Sequence, residues 1–108
     1  MPDAINVRPG RWANITVLFD DGYYSAAWGD FSGKGQTTRS CLGVRWNGEP
    51  GKPGYPNQGK FSLWHVEPDF LTPAILHRLH DLVTAHPHSP ERTQQLANID
   101  AAITAAEG

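Results

Sequence analysis

Residues 12–29, WANITVLFDDGYYSAAWG, form the stretch of sequence that decides the fold. At its centre, Asp21-Gly22 is a strong signal for a two-residue turn, because Gly accepts a positive φ and Asp tolerates one. A turn at this place predicts a β-hairpin whose alternate side chains share a face. The apolar face would then bury Ile15, Val17, Phe19, Tyr24, Ala26 and Trp28.

Two further strands are predicted, at residues 41–47 and 60–66. The first alternates regularly, so its apolar face would carry Leu42, Val44 and Trp46, with Arg45 on the opposite face. The second, KFSLWHV, is apolar on both faces, which is typical of a central strand or of one covered by a helix. Residues 31–40 are polar and contain Gly, which favours a connecting loop.

The last third of the chain changes to a helical period. Thr72-Pro73 and Ser89-Pro90 are both typical helix starts, and Pro87 ends the first helix. The first helix carries the apolar stripe Ile75, Leu76, Leu79, Leu82 and Val83. The second carries the narrower seam Leu96, Ile99 and Ile103.

These elements predict an α+β fold, with a small antiparallel sheet of about four strands followed by two C-terminal helices. We expect a single domain over residues 1–108, because a chain of this length can bury one core. Its parts would be an N-terminal extension at 1–10, a sheet at 11–67 with loops at 31–40 and 47–60, and two helices at 72–106.

Composition narrows the class of protein. The chain is 39% hydrophobic and 19% charged, which is ordinary for a globular protein. Cys41 is the only cysteine, so an internal disulfide is excluded. No secretory signal or membrane-spanning run is visible, and we expect a cytoplasmic protein without membrane association.

The charge distribution bears on nucleic acid as a partner. Net charge is −2, but residues 31–60 hold five basic side chains against Glu49 alone. A basic, aromatic middle could attract a phosphate backbone. Loop and edge-strand charges that keep a sheet soluble account for the same pattern, and we favour that interpretation. Binding to nucleic acid is expected to be weak or absent.

Residues 47–60, here called the Gly/Pro-rich loop, are the strongest candidate for a binding region. Four Gly and three Pro lie between Asn47 and Lys60, which excludes a helix or a central strand. Loops held by rigid strands commonly carry binding residues. The residues expected to bind a ligand are Arg45, Tyr55 and Trp64.

A catalytic alternative uses His65 with Glu67 or Asp69. On an extended segment these three side chains would share one side and could act as a general acid–base set. A strand-to-helix turn beside a hydrogen-bonded histidine explains the same residues. His77 and His80 stand three apart on the first helix, but no further ligand completes a metal site, so neither metal nor cofactor is expected.

The runs YYSAAWGDF, LGVRWNG, GYPNQG and LWHVEPDFL resemble small hypothetical proteins encoded on mobile integron gene cassettes. The resemblance covers about residues 14–76 and implies a short bacterial protein with an accessory role, without assigned functional residues. The leading hypothesis, which rests on the Gly/Pro-rich loop and the adjoining strand face, is a binding or interaction module. A small hydrolase or transferase is the alternative, so whether the protein is an enzyme stays open.

Self-association is also expected. A domain of this size has only two short helices to cover a sheet with apolar residues on both faces, which leaves Trp64, Val66 and Trp12 with uncertain cover. Exposed apolar patches of a few hundred Å² or more usually mark interfaces. We therefore predict a homodimer, the commonest symmetric assembly.

Overall fold

The computed structural model describes residues 7–33, 35, 37–59, 61–85 and 90–107. Within them, a four-stranded antiparallel sheet precedes two helices, so the predicted α+β class is confirmed. The elements are β1 (Trp12–Asp20), β2 (Tyr24–Phe31), β3 (Arg39–Trp46), β4 (Asn57–Gln58), β5 (Phe61–Ser62), β6 (His65–Val66), α1 (Thr72–Ala85) and α2 (Pro90–Glu107). The sheet order is β1-β2-β3-β6, and β4 and β5 form a separate two-stranded sheet. The chain divides after Glu67 into two compact units.

The hairpin is present, but its predicted register is wrong. Asp20 pairs with Ser25, so the connection contains four residues instead of two. Oδ1 of Asp21 accepts the backbone N–H groups of Tyr23 and Tyr24 at 2.9 and 2.8 Å. Because a carboxylate that accepts neighbouring amides stabilises its own turn, the side chain of Asp21 favours the wider connection.

The shifted register also splits the predicted apolar face. Irregularities in β1 occur between Ala13 and Thr16 and between Val17 and Phe19. As a result Ile15 packs in a cluster with Ala27, whereas Phe19 pairs with Ala26, whose side chain points to the other face. Of the six residues predicted to share a buried face, Ile15, Phe19 and Ala26 are buried and Val17, Tyr24 and Trp28 are half-buried.

One face of the sheet is packed around Trp12. The buried cluster on this face consists of Val7, Trp12, Ile15, Ala27, Cys41 and Trp64. The indole of Trp12 lies directly over the backbone of Gly43: a Cβ atom built there would approach Trp12 Cη2 to 2.8 Å and Trp64 Cβ to 3.1 Å. The absence of a side chain at Gly43 thus allows the indole to contact the sheet backbone.

Gly43→Ala is therefore expected to lower the free energy of unfolding by about 1–3 kcal/mol, as overpacking of a filled core does. Gly10→Ala is the matched control, because a Cβ at Gly10 meets no atom within 4 Å. Urea unfolding followed by circular dichroism measures both variants. Equal free energies of unfolding for Gly43→Ala and Gly10→Ala would contradict the close packing of Trp12 against Gly43.

The continuous strand predicted over residues 60–66 is wrong. The pairing is interrupted at residues 63–64, so that β5 pairs with β4 while β6 pairs with Gly43 and Val44 of β3. Trp64 lies in the interruption, is buried, and donates its Nε1–H to the carbonyl oxygen of Val7 at 2.8 Å. This interruption explains why the run is apolar on both faces without being a central strand.

The helical unit agrees with the predicted stripes. α1 begins at Thr72, and its buried residues are Thr72, Leu76, Leu79 and Val83. On α2, Ile99 and Ala102 are buried, while Leu96 and Ile103 are half-buried. Among the described residues, neither helix has the length and apolar character needed to cross a membrane.

Two contacts between a histidine and a carboxylate join the helices to each other. Nε2 of His77 lies 2.9 Å from Oε1 of Glu107, and Nε2 of His80 lies 3.2 Å from Oδ1 of Asp100. Residues later in α1 meet residues earlier in α2, so the two helices run antiparallel. His77 and His80, which have the spacing of a pair of metal ligands, therefore face carboxylates of the other helix. Pro87 and Ser89, the residues predicted at the end of the first helix and at the start of the second, lie outside the described residues.

Candidate functional site

The Gly/Pro-rich loop is fixed to the sheet unit at its first residue. Asn47 is fully buried, and its backbone N–H donates to the carbonyl oxygen of Tyr23 at 2.7 Å. The hydroxyl of Ser25 donates to Asn47 Oδ1 at 2.6 Å, and Asn47 Nδ2 donates to Asp20 Oδ1 at 3.0 Å. Because buried polar groups need partners, this network ties the loop to the β1–β2 connection.

The side chain of Arg45 fixes a second point of the loop by hydrogen bonds. Arg45 is 1% exposed, so it offers little surface to the ligand that it was expected to bind. Nη1 donates to the carbonyl oxygen of Leu63 at 2.6 Å, and Nη2 donates to that of Pro53. Burial lowers the pKa of Arg45, but an arginine side chain stays protonated in proteins. Its rigid fork of donors therefore joins Pro53, inside the loop, to Leu63, just beyond the end of the loop.

Trp46, the last residue of β3, and Tyr55, in the Gly/Pro-rich loop, are hydrogen-bonded to each other through their backbones. Trp46 N donates to Tyr55 O at 2.7 Å, and Tyr55 N donates to Trp46 O at 2.9 Å. Their side chains are nevertheless 58% and 67% exposed. The expectation that Trp46 belongs to the core is wrong, because its side chain lies at the end of β3, beyond the residues Gly43 and Val44 that pair with β6. The backbone is fixed while both rings stay accessible.

These rings border a concave site of about 180 Å³, here called the aromatic cleft. Its lining residues are Tyr24, Val44, Arg45, Trp46, Tyr55, Pro56, His65 and Glu67. The rings of Tyr24 and Trp46 meet edge to face, with centroids 4.6 Å apart and planes at 72°. Edge-to-face pairing is a favourable aromatic geometry, so the two rings support each other's orientation.

Two ionisable side chains complete the aromatic cleft. His65 Nε2 lies 3.8 Å from Glu67 Oε1, with the histidine side chain 58% exposed and the glutamate side chain 14% exposed. Burial, and then the charge of Glu67, raise the pKa of Tyr24, which keeps its hydroxyl protonated at neutral pH. Asp69, the third residue of the catalytic alternative, is exposed in the turn before α1.

The structure thus unites some of the predicted site residues and separates others. Tyr55, His65 and Glu67 line the aromatic cleft, whereas Trp64 is 5% exposed and belongs to the core. Tyr24 and Trp46 were missed as site residues. The signal for Trp46 was its place at the very end of an alternating strand, where neighbouring strands often stop.

The chemistry available in the aromatic cleft follows from its lining. Its described lining residues include neither serine, cysteine nor lysine, and the side chains that could act as nucleophiles there are the carboxylate of Glu67, the imidazole of His65 and the tyrosine hydroxyls. The described part of the chain also holds no group of three or more potential metal ligands. Of the five basic residues between 31 and 60, Arg39 and Lys52 are exposed, Arg45 is buried, and Lys34 and Lys60 lie outside the described residues.

No family model, curated protein or solved structure matches the chain.

Proposed function

We propose that the protein is a binding module that uses the aromatic cleft to hold one small chemical group of a ligand or partner. A single observation carries this proposal: Trp46 and Tyr55 are locked together through their backbones while their rings remain more than half exposed. Large aromatic side chains normally gain by burial, so rings held open on a fixed backbone are suited to contact with another molecule.

The dimensions of the aromatic cleft limit what it can hold. Its volume of about 180 Å³ is close to the roughly 150 Å³ of a protein cavity that accepts benzene. One ring or one branched alkyl group fits, and a complete drug-sized ligand does not. A ligand of larger size would place one end in the cleft and extend along the Gly/Pro-rich loop.

The test is a titration monitored by amide chemical shifts in NMR. The ¹⁵N-labelled full chain is titrated with a panel of single-ring and branched-alkyl compounds that includes neutral, cationic and anionic members. We expect at least one compound to shift the amides of residues 44–46, 55 and 65–67 together. Tyr55→Ala should weaken that binding about tenfold, because truncation of a contacting aromatic costs of the order of 1–2 kcal/mol.

Tyr23→Ala is the matched control for this titration. Tyr23 is 77% exposed, more than Tyr55, but it does not line the aromatic cleft. Its backbone contacts survive truncation to alanine, so the affinity should stay unchanged. Equal losses in both variants, or no shifts with any compound of the panel, would contradict the proposed function.

The hydrolase or transferase alternative retains only His65 and Glu67. Their 3.8 Å separation exceeds the length of a hydrogen bond, so the glutamate does not orient the imidazole as a catalytic carboxylate would. Asp69 is not among the lining residues of the cleft. The open, aromatic character of the site favours binding over catalysis.

The wider biological context stays a proposal as well. An accessory role in a bacterium, as the resemblance to integron cassette proteins implies, agrees with a small binding module.

The homodimer also remains a prediction, although Trp12 and Trp64, two of the side chains that motivated it, are buried within the chain itself. Weak or absent nucleic acid binding is still expected, since Arg45 is not accessible to phosphates.

A further inference from the structure

We infer that the group held in the aromatic cleft is an organic cation, an alkylated ammonium such as a quaternary amine. This inference rests on the proposed function, because it specifies the ligand of the same site. It combines three features of the cleft: accessible aromatic rings, a mostly buried carboxylate, and a guanidinium, that of Arg45, which is buried.

The aromatic rings supply the first feature. Tyr24, Trp46 and Tyr55 all line the cleft, and the latter two are largely exposed. The face of an aromatic ring carries a negative quadrupole potential that attracts a cation within about 6 Å of the ring centre, most strongly for tryptophan. Several rings around one small cleft are the arrangement by which proteins bind quaternary ammonium groups.

Glu67 supplies the second feature. Its side chain is 14% exposed, and its carboxylate lies 3.8 Å from His65 Nε2, which is beyond hydrogen-bond length. Its charge acts within the cleft, since it contributes, after burial, to the raised pKa of Tyr24. A partly desolvated carboxylate gains from a nearby positive charge, and a cation in the cleft would provide one.

Arg45 supplies the third feature. It lines the cleft, but it is 1% exposed, and its guanidinium donates to the carbonyl oxygens of Pro53 and Leu63. Its Nε has no hydrogen-bond partner but is buried. An anion in the cleft would therefore reach little of the guanidinium and would lie near the carboxylate of Glu67.

An alkylated ammonium fits better than a metal ion. Calcium and magnesium need six or more oxygen ligands, and one carboxylate cannot supply them. A quaternary ammonium needs no directional donors or acceptors, and its methyl groups match the size and apolar lining of a cleft of about 180 Å³. The same head group occurs in free choline-like molecules and on methylated lysine side chains of partner proteins.

The decisive experiment compares choline with 3,3-dimethyl-1-butanol, which has the same shape without the charge. Both are titrated into the ¹⁵N-labelled full chain at moderate salt. We expect choline to bind at least about tenfold more tightly, because cation–π attraction adds to the shape match. Equal affinities, or tighter binding of the neutral alcohol, would overturn the inference while leaving a binding site for apolar groups.

Two variants sharpen the comparison. Glu67→Gln should weaken choline binding several-fold and leave the neutral alcohol unaffected, since only the charge of residue 67 changes. Trp46→Phe should retain part of the affinity and Trp46→Ala very little, with Tyr23→Ala unchanged. A Glu67→Gln variant that binds choline as tightly as the original chain would contradict a role for the carboxylate.

A second pair of probes separates the two sources of the cation. A short peptide with Nε-trimethyllysine is compared with the same peptide carrying unmodified lysine. Preference for the trimethylated peptide over choline indicates a protein partner, and preference for choline indicates a free small molecule; either supports the inference. Failure of every compound in the neutral, cationic and anionic panel to bind would instead reject the proposed function itself.

Discussion

Replacing Gly54 by alanine is expected to lower the free energy of unfolding by about 3–5 kcal/mol. Gly54 has a φ of +77°, which costs a residue with a side chain about 1–2 kcal/mol. A Cβ atom there would overlap Trp46 O and lie 2.5 Å from both Arg45 Nη2 and Asn47 O. These atoms belong to the backbone of Trp46 and Asn47 and to the buried guanidinium, so the strain cannot relax without moving the loop.

Gly51→Ala separates the two contributions to this effect. Gly51 has a nearly identical φ of +80°, but a Cβ atom there meets nothing within 4 Å. It should cost only about 1 kcal/mol, from the backbone conformation. Urea unfolding gives both values, and choline titration should show lost affinity in Gly54→Ala alone. Equal destabilisation by the two variants would mean that the loop does not pack against Trp46 as described.

Much of the fold could be predicted because it depends on local patterns. The stripe of α1 and the seam of α2 follow a helical period, and their helix starts carry recognisable Ser/Thr-Pro signals. The alternation in β3 likewise places Leu42 and Val44 in the core. Tyr55 could be predicted as accessible because a loop rich in Gly and Pro buries few side chains.

The register of the hairpin could not be predicted by the same means. The choice between a two-residue and a four-residue connection depends on Asp21 Oδ1, which accepts two backbone N–H groups. The pattern Asp-Gly fits either arrangement. Hydrogen bonds from a side chain to the backbone of its own turn can shift the register of a hairpin, and they do so without changing the hydrophobic pattern that indicates the hairpin.

The candidate site was only partly predictable from the sequence. Arg45 and Trp64 were expected to contact a ligand because one is charged and the other is aromatic, but both are buried. A charged residue on a strand is usually exposed, and the burial of Arg45 depends on carbonyl groups 8 and 18 residues further along the chain. Trp64 is buried because its indole N–H finds Val7 O, 57 residues away. Such long-range partners leave no signal in a local pattern.

Arg45→Met is expected to destabilise the sheet unit by about 3 kcal/mol and to disorder the aromatic cleft. Methionine has a similar length and preserves the apolar packing of the side chain, but it donates no hydrogen bonds. Ser62 Oγ also donates to Pro53 O at 2.7 Å, so that carbonyl keeps one partner. The carbonyl of Leu63 loses its bond from Nη1, and each hydrogen bond from a charged donor contributes about 1.5–3 kcal/mol.

The hydrogen bonds described for Arg45 go to backbone carbonyls and not to a carboxylate, so the loss of stability in Arg45→Met differs from that caused by removing a buried ion pair. Replacing a whole buried ion pair by apolar groups is often neutral, because both charges are removed together. Here the partners are backbone carbonyls, which stay in place whatever the side chain, so their desolvation is left uncompensated. Arg45→Lys retains one charged donor group without the fork and should fall between Arg45→Met and the original chain in urea unfolding. A stability of Arg45→Met equal to that of the original chain would show that the Gly/Pro-rich loop holds its shape without the guanidinium.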